Sequence, residues 1–413
     1  MASSNNKRVV NNIVMLYIMN IAQLVLPLVT LPYLTRVLSV DGYGVVSYVK
    51  SLIVYVTLVI EFGFLYSGTR DVVKAKDDKK QLGLIIGRIT VAKILLSFLA
   101  FIVLLGMVAV IPILHHHPLF TLLSFGTPFL SIFLFDYLFR GLERMEIITY
   151  RFLLMKGTST LFTFVFIHSD RQLLLIPLLD IFGSLLAVIW IYFTMQKMGI
   201  GFNFDKMSKV IDCLRVSFTY FVSDVASTAF GALNTLFVGI YLSSKEVAYW
   251  GLIMTLVAAV QSMYTPISNG IYPHMIANKN LRFFGKILLF FVPLLIIGSA
   301  ITYYGANLIM LIIGGSKYIV AANYLQQSVL LLVLSFFSVM FGWPSLGAID
   351  KVKETTATTL IAAFFQVIGL AILIISGHFT LPLLIFVRTV TEGVMAGLRI
   401  GYVYHFRTLF NGK

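Results

Sequence analysis

The chain has 413 residues, 59% hydrophobic and only 12% charged, with a mean hydropathy of +0.94. That composition lies outside ordinary soluble usage and leaves no stretch for a separate soluble domain. The formal charge of +14 need not mean nucleic acid, because its distribution along the chain decides what it is for.

The polar segment before residue 12 is short, and the apolar run after it is too long for a signal-peptide core, so no cleavage is expected. Apolar runs of about 20 residues, each able to cross roughly 30 Å of hydrocarbon, then recur along the whole chain. They lie at 12–35, 45–67, 84–111, 118–138, 147–167, 173–194, 216–241, 249–273, 287–312, 325–346, 356–376 and 381–404. The expected fold is therefore all-α and polytopic, with about twelve transmembrane helices. The first run closes on Leu31-Pro32-Tyr33-Leu34-Thr35-Arg36-Val37-Leu38-Ser39-Val40-Asp41-Gly42-Tyr43-Gly44. Pro32 lacks the N–H that would continue the helix, and Asp41-Gly42 reads as a turn, which makes this stretch the hinge of the first helical hairpin. Arg36 falls at the membrane boundary, where snorkelling to the interface is the plain alternative to a functional role. His115-His116-His117, followed by Pro118, cannot all face one metal from a single helix, so a loop without a metal role is expected there. The single cysteine, Cys213, rules out an intramolecular disulfide framework and is expected only to pack.

Alternating the spans from a cytoplasmic N-terminus puts 21 Lys and Arg residues on the cytoplasmic side and four, Arg36, Arg171, Lys245 and Lys317, on the other. This positive-inside asymmetry places both termini in the cytoplasm and makes most of the net charge a matter of topology. An internal repeat is visible at about half the chain length. Phe129-Leu-Ser131 matches Phe336-Phe-Ser338, Glu143-Arg144 matches Asp350-Lys351, Thr149 matches Thr356, and Leu38-Ser39 matches Leu242-Ser243. The matches predict two six-helix lobes around a central cavity: residues 1–195, a cytoplasmic linker at 196–215 with Gly199-Ile-Gly201, and residues 216–413.

Ionisable groups inside spans cost roughly 2.5–3.5 kcal/mol each on insertion scales and face a cavity or a partner. The basic ones are Lys50, Arg88, Lys93, Lys156, Arg388 and Arg399; the acidic ones are Glu61, Asp136, Asp180, Asp224 and Glu392. Snorkelling suffices for Asp136, Arg399 and Arg88, which lie near cytoplasmic ends. Lys156 lies about nine residues, roughly 14 Å, into its span, too deep for that. Lys50, Thr57 and Glu61 share one face of the second span, and Arg388 and Glu392 are spaced to pair along the last. Asp224, Thr228, Gly231 and Thr235 form one stripe of the seventh, which could be helix packing or cavity lining. No phosphate-binding glycine loop, no zinc-type Cys/His spacing and no large exterior loop bearing carboxylates is present. Transport is favoured over catalysis.

The Leu31–Gly44 stretch resembles the opening signature of Wzx-type polysaccharide flippases, members of the multidrug/oligosaccharidyl-lipid/polysaccharide exporter superfamily. Phe139-Arg140-Gly141-Leu142-Glu143-Arg144-Met145 and Leu242-Ser-Ser-Lys-Glu-Val-Ala-Tyr249 resemble the loops after that family's fourth and seventh spans. Ser39-Val40 departs from the usual Gly and small residue or Pro. The resemblance implies translocation of undecaprenyl-pyrophosphate-linked oligosaccharide repeat units, as in O-antigen and lipopolysaccharide assembly, from the cytoplasmic to the outer face of a bacterial inner membrane. It implies no nucleic acid, no bound metal and no cofactor beyond a proton or sodium gradient. Membrane lipids, a polysaccharide polymerase and a chain-length regulator are the expected partners.

In related lipid-precursor flippases the arginine matching Arg36 belongs to a central cationic cavity. A pyrophosphate leaving water needs fixed cations, and Arg36, Lys50, Arg88, Lys93 and Lys156 of the first lobe would supply them. Tyr33, Thr57 and Arg388 are further cavity candidates, Tyr48, Tyr55 and Tyr220 could stack on sugars, and Glu61, Asp224 and Glu392 are candidate ion carriers. A drug/cation antiporter of the same superfamily would want a carboxylate in the first span, where none lies between Asn11 and Thr35. A membrane polymerase or glycosyltransferase would want a large exterior loop, which is missing.

Overall fold

A computed structural model describes residues 2–410, with the side chains of residues 2–10, 13, 223 and 226–232 outside the description. Every regular element among the described residues is helical. The first unit spans Met1–Ile240. It contains α1 (Ala2–Val37), α2 (Val40–Glu61), α3 (Phe64–Lys74), α4 (Lys79–Val110) and the short helices α5 (Pro112–His115), α6 (Pro118–Ser124), α7 (Gly126–Ser131) and α8 (Asp136–Gly141). These are followed by α9 (Met145–Phe166) and α10 (Leu175–Met198), and α11 (Met207–Tyr241) closes the unit. The second unit, Tyr241–Lys413, holds α12 (Ser244–Ser262), α13 (Tyr264–Asn278), α14 (Leu281–Tyr304), α15 (Ala306–Gly314), α16 (Ala322–Gln327), α17 (Val329–Met340), α18 (Val352–Ile375) and α19 (Leu381–His405).

Ten stretches among the described residues are long and apolar enough to cross a membrane. The chain is therefore a multi-pass helical membrane protein. Two of the twelve expected spans are not among the ten, although both are helical. The fifth, in α9, is made less apolar by Arg151, Lys156, Ser159, Thr160 and Thr163; the seventh lies in α11, which includes the undescribed side chains, Thr228 and Gly231 among them. The apolar surface is turned outward: Leu289, Phe290, Ile296 and Ile301 of α14 are all more than half exposed. Water would penalise such a surface, whereas hydrocarbon satisfies it, provided that the backbone bonds are closed within helices.

The first hairpin corrects the turn expected at Asp41-Gly42. Helix α1 runs to Val37, and the link is Leu38-Ser39 alone. Ser39 caps α2 by accepting the Gly42 N–H at 2.9 Å, which draws Asp41-Gly42 into the first helical turn. The Ser39 N–H in turn donates to Asp170 Oδ1 at 2.9 Å. Ser39 thus supplies a cap, and Asp41 lies where the helix dipole favours an anion.

The sequence repeats carry matched local structure. Leu242-Ser243 also ends one helix and caps the next, Ser243 accepting from Glu246 N–H in a capping box. Glu143 and Asp350 both take left-handed backbone angles, at φ 56° and 64°, and the following Arg144 and Lys351 each precede a long helix. Ser131 and Ser338 each hydrogen-bond to an intramembrane glutamate, Glu61 and Glu392 respectively. Thr149 and Thr356 each return their hydroxyl to the carbonyl four residues back.

Two apolar stretches of the first unit are broken. Phe62 and Gly63, at φ 43° and 73°, separate α2 from α3, and Phe135, at φ 50°, precedes α8. A Cβ on Gly63 would come within 2.6 Å of Tyr220 Cβ and 2.8 Å of Phe221 N, so both backbone angle and α11 contact require glycine there. Around these breaks packs a core of Phe64, Val72, Ile86, Ile89, Leu138, Phe139 and Ile191. In the second unit Tyr264, Phe284, Phe336, Met340 and Leu346 form the core, with α19 lying on α17 and α18. The Trp343-Pro344 interruption there becomes a single π-helical turn, Gly342–Leu346, because proline withholds one backbone donor.

Candidate functional site

A cavity of about 560 Å³ lies within the first unit, bounded by α1, α2, α6, α7, α9 and α10. Its charged lining is Lys50 of α2, Lys156 of α9 and Asp180 of α10. Neutral polar groups come from Gln23, Thr30, Thr57, Ser124, Thr127, Ser159, Thr160 and Thr163, and the remainder is mostly apolar. The polar stripe of α9 follows helical spacing, so that Lys156, Ser159, Thr160 and Thr163 face one side. On α1, Pro27 withdraws the helical partner of the Gln23 carbonyl, and the Thr30 hydroxyl donates to the Leu26 carbonyl at 2.9 Å.

The hairpin of α9 and α10 sets the charge geometry. Lys156 and Asp180 are 24 residues apart, centred on the connection at His168, so the antiparallel pairing brings them to one depth. Gly183 allows the close approach: a Cβ there would sit 2.3 Å from the Met155 carbonyl oxygen. Lys156 Nζ lies 3.2 Å from Asp180 Oδ1, and the Ser159 hydroxyl donates to the same oxygen at 2.7 Å. Lys50 feels the charges of both Asp180 and Lys156 but forms no ion pair among the described residues. Two ammonium groups against one carboxylate leave the cavity with one excess positive charge. Such a site can bind an anion by replacing its hydration with fixed donors.

Of the five cations expected to share a cavity, the structure brings together Lys50 and Lys156, with Thr57 beside them. Arg36 is exposed in the last turn of α1, where it complements the helix dipole. Arg88 binds Asp205, which ties the connection after α10 onto α4. That segment lies against two glycines. The Asn203 N–H donates to the Gly83 carbonyl at 3.2 Å, and a Cβ on Gly87 would meet the Asn203 carbonyl oxygen at 2.0 Å. Asp205 lies outside the spans; the Lys206 backbone N–H, then Arg88, hold its carboxyl below the usual carboxylate range.

Lys93 is buried and pairs with Glu61 at 2.7 Å, beside the Tyr137 ring. Glu61 also accepts from Ser131, and Asp136, close to this pair, binds Arg151 at 2.7 Å. These four charges cluster at the two helix breaks, away from the cavity lining. Tyr33 donates to the Ile167 carbonyl at 2.7 Å and Tyr48 to the Leu236 carbonyl at 3.2 Å. The Tyr55 hydroxyl is buried and Tyr220 stacks with Tyr66; none of these tyrosines lines the cavity.

Glu392 accepts from Ser338 at 2.5 Å, while Arg399 donates to the Ser338 carbonyl and to Thr358 and Thr359. Arg388 and Arg399 both lie within reach of the Glu392 charge, all in the second unit. Asp224 sits half-buried on α11. Among the described residues no cluster of His, Cys, Asp and Glu has metal-binding geometry.

The comparisons agree with this architecture. The family described as "Polysaccharide biosynthesis protein" matches residues 9–279. A Shigella dysenteriae protein described as "Putative O-antigen transporter" is 22% identical over 348 residues, which cover 80% of this chain and 85% of that relative. An Escherichia coli (strain K12) protein of the same description is 23% identical over 275 residues, 66% of each chain. Among solved structures, an inward-facing MATE family multidrug resistance transporter of the MOP superfamily aligns with a TM-score of 0.62 at 11% identity, covering 94% of this chain and 98% of that one. A Vibrio cholerae MATE transporter aligns at 0.56 and 14% identity, covering 98% of each. These structural likenesses show a MATE-like fold. With residues 9–279, well over half its length, matched, the chain belongs to the polysaccharide biosynthesis protein family.

Proposed function

We propose that this protein is a flippase for undecaprenyl-pyrophosphate-linked oligosaccharide repeat units, moving them from the cytoplasmic to the outer face of a bacterial inner membrane. The observation that carries the reading is the cavity in which Lys50 and Lys156 outnumber Asp180 within a membrane-embedded unit. A pyrophosphate needs cations there, and the hydroxyl and amide groups of Gln23, Thr57, Ser124, Thr127 and Thr160 offer hydrogen bonds to sugars. The family match and the O-antigen transporter relatives support a polysaccharide-precursor cargo and a transporter rather than an enzyme.

Alternating access of two lobes, at 1–195 and 216–413, would move the cargo, and the matched capping turns and glutamate–serine contacts favour that repeat. A proton or sodium gradient would drive the cycle, with Glu61, Asp224 and Glu392 as ion carriers. The lipid tail would stay in the bilayer, both termini would be cytoplasmic, and a polymerase and a chain-length regulator would take the product. Arg36, Arg88 and Lys93 would then serve the cycle from outside the cavity lining.

Reconstitution tests the reading. The purified protein in proteoliposomes should make an undecaprenyl-pyrophosphate oligosaccharide, loaded on the inner face, accessible to an external glycosidase. Accessibility no greater than in protein-free vesicles, with and without an imposed proton or sodium gradient, would refute it.

A further inference from the structure

Asp180 was not among the residues that the sequence alone marked as binding groups, yet it sits in the middle of the cavity's charge. Its Oδ1 takes both the Lys156 ammonium, at 3.2 Å, and the Ser159 hydroxyl, at 2.7 Å. Lys156 therefore already holds an anion belonging to the protein, whereas Lys50 does not. Among the described residues the other surrounding helices add no competing charge to the lining: α1, α6 and α7 present Gln23, Thr30, Ser124 and Thr127, all neutral. An incoming anion meets Lys50, which feels Asp180 but is not bonded to it, whereas it reaches Lys156 only by displacing a carboxylate held by two bonds.

Specificity is a difference of affinities, and an unfavourable contact rejects the wrong ligand as effectively as a favourable one selects the right one. The bilayer surrounds this protein with phosphodiester head groups of one negative charge, in large excess over any carrier lipid. Two exposed lysines in a cavity would bind those groups. We propose that Asp180 is a specificity-determining residue, an internal competitor that closes Lys156 to the phosphodiesters of bulk anionic phospholipids and yields it to the pyrophosphate of an isoprenoid carrier. A pyrophosphate carries enough charge to contact Lys50 and also replace Asp180 at Lys156. A phosphodiester satisfies one ammonium and gains little from the second. This inference rests on the flippase reading of the cavity.

The test uses the full chain in nanodiscs with geranylgeranyl diphosphate as probe, in phosphatidylcholine alone and with part of it replaced by phosphatidylglycerol. Wild type is expected to bind the probe with an affinity that changes little between the two lipid compositions. Asp180→Asn is expected to bind it about tenfold more tightly in phosphatidylcholine, equivalent to about 1.4 kcal/mol, and to lose most of that gain when phosphatidylglycerol is present. Ser159→Ala keeps every charge and loosens the carboxylate, so it should show a smaller gain in the same direction. It decides the matter if Asp180→Asn fails to fold. Probe binding by wild type with no tightening in either variant, or equal sensitivity of wild type and Asp180→Asn to phosphatidylglycerol, would overturn the role of Asp180 alone. No probe binding by wild type or variants in phosphatidylcholine would overturn the anion-cavity reading and this inference with it.

Discussion

Lys50, Lys93 and Lys156 are all intramembrane lysines, but their surroundings assign them different work. Lys93 is 2% exposed and held by Glu61. Removing one partner of a buried ion pair leaves an uncompensated charge, so Lys93→Met should lower stability by about 3 kcal/mol, whereas Glu61→Gln with Lys93→Met should recover much of that loss. Thermal unfolding of the purified variants checks the difference. Lys50 faces the cavity without an ion pair among the described residues, so Lys50→Met should leave the unfolding temperature nearly unchanged. Lys156→Met strips Asp180 of its ammonium and should lower that temperature, by less than Lys93→Met because Lys156 is more exposed. Each of the two cavity substitutions should reduce transport of a pyrophosphate-linked cargo by about tenfold or more, the loss expected from one charge-assisted hydrogen bond of about 1.5–3 kcal/mol. Initial rates in proteoliposomes would show it. The sequence made Lys156 conspicuous by its depth, and the equal spacing of Lys156 and Asp180 about His168 would have revealed their pairing. Nothing in the sequence separated Lys93 from the cavity lysines, and Arg88 stood out only as able to snorkel, because their partners Glu61 and Asp205 come from distant segments.

At the scale of elements, the breaks and straps matter more than the spans. Gly63 combines φ 73° with a close approach to Tyr220 and Phe221 on α11. Gly63→Ala should therefore cost at least about 2 kcal/mol, read as a lowered unfolding temperature. The segment joining α10 to α11 is held on α4 by Gly83, Gly87 and the Arg88–Asp205 pair. The Asp205 carboxyl is held below its ordinary range in the folded chain, so the pair's contribution is present above the unfolded carboxylate pKa of about 4 and is lost as pH falls through the lower folded value. Hydrogen exchange at the Asn203 amide, corrected for its intrinsic rate, should be slow near neutrality and accelerate under that acidification. The Arg88→Ala variant should show fast exchange at both. Apolar length made the spans legible, but not the strap, since Gly83 and Gly87 could equally have been helix-packing glycines. The first hairpin was legible as a hinge, while its turn was displaced because Ser39 caps α2.

For the whole molecule, composition and positive-inside asymmetry were enough to indicate a multi-pass helical protein, and the signature stretches were enough to indicate its family. The pairs Glu143-Arg144 and Asp350-Lys351, matched in the sequence, each place a left-handed residue just before a long helix, which favours the proposed two-lobe repeat. The cargo assignment rests on the charge of one cavity together with the polysaccharide relatives. The most direct measurement is the location of lipid-linked glycan in cells lacking the protein and complemented with wild type, Lys50→Met or Lys156→Met. The account predicts that undecaprenyl-linked units accumulate on the cytoplasmic face without the protein, that wild type clears them, and that both variants are made at normal levels but leave them in place. Units that reach the outer face without the protein, with only polymerised glycan missing, would contradict it.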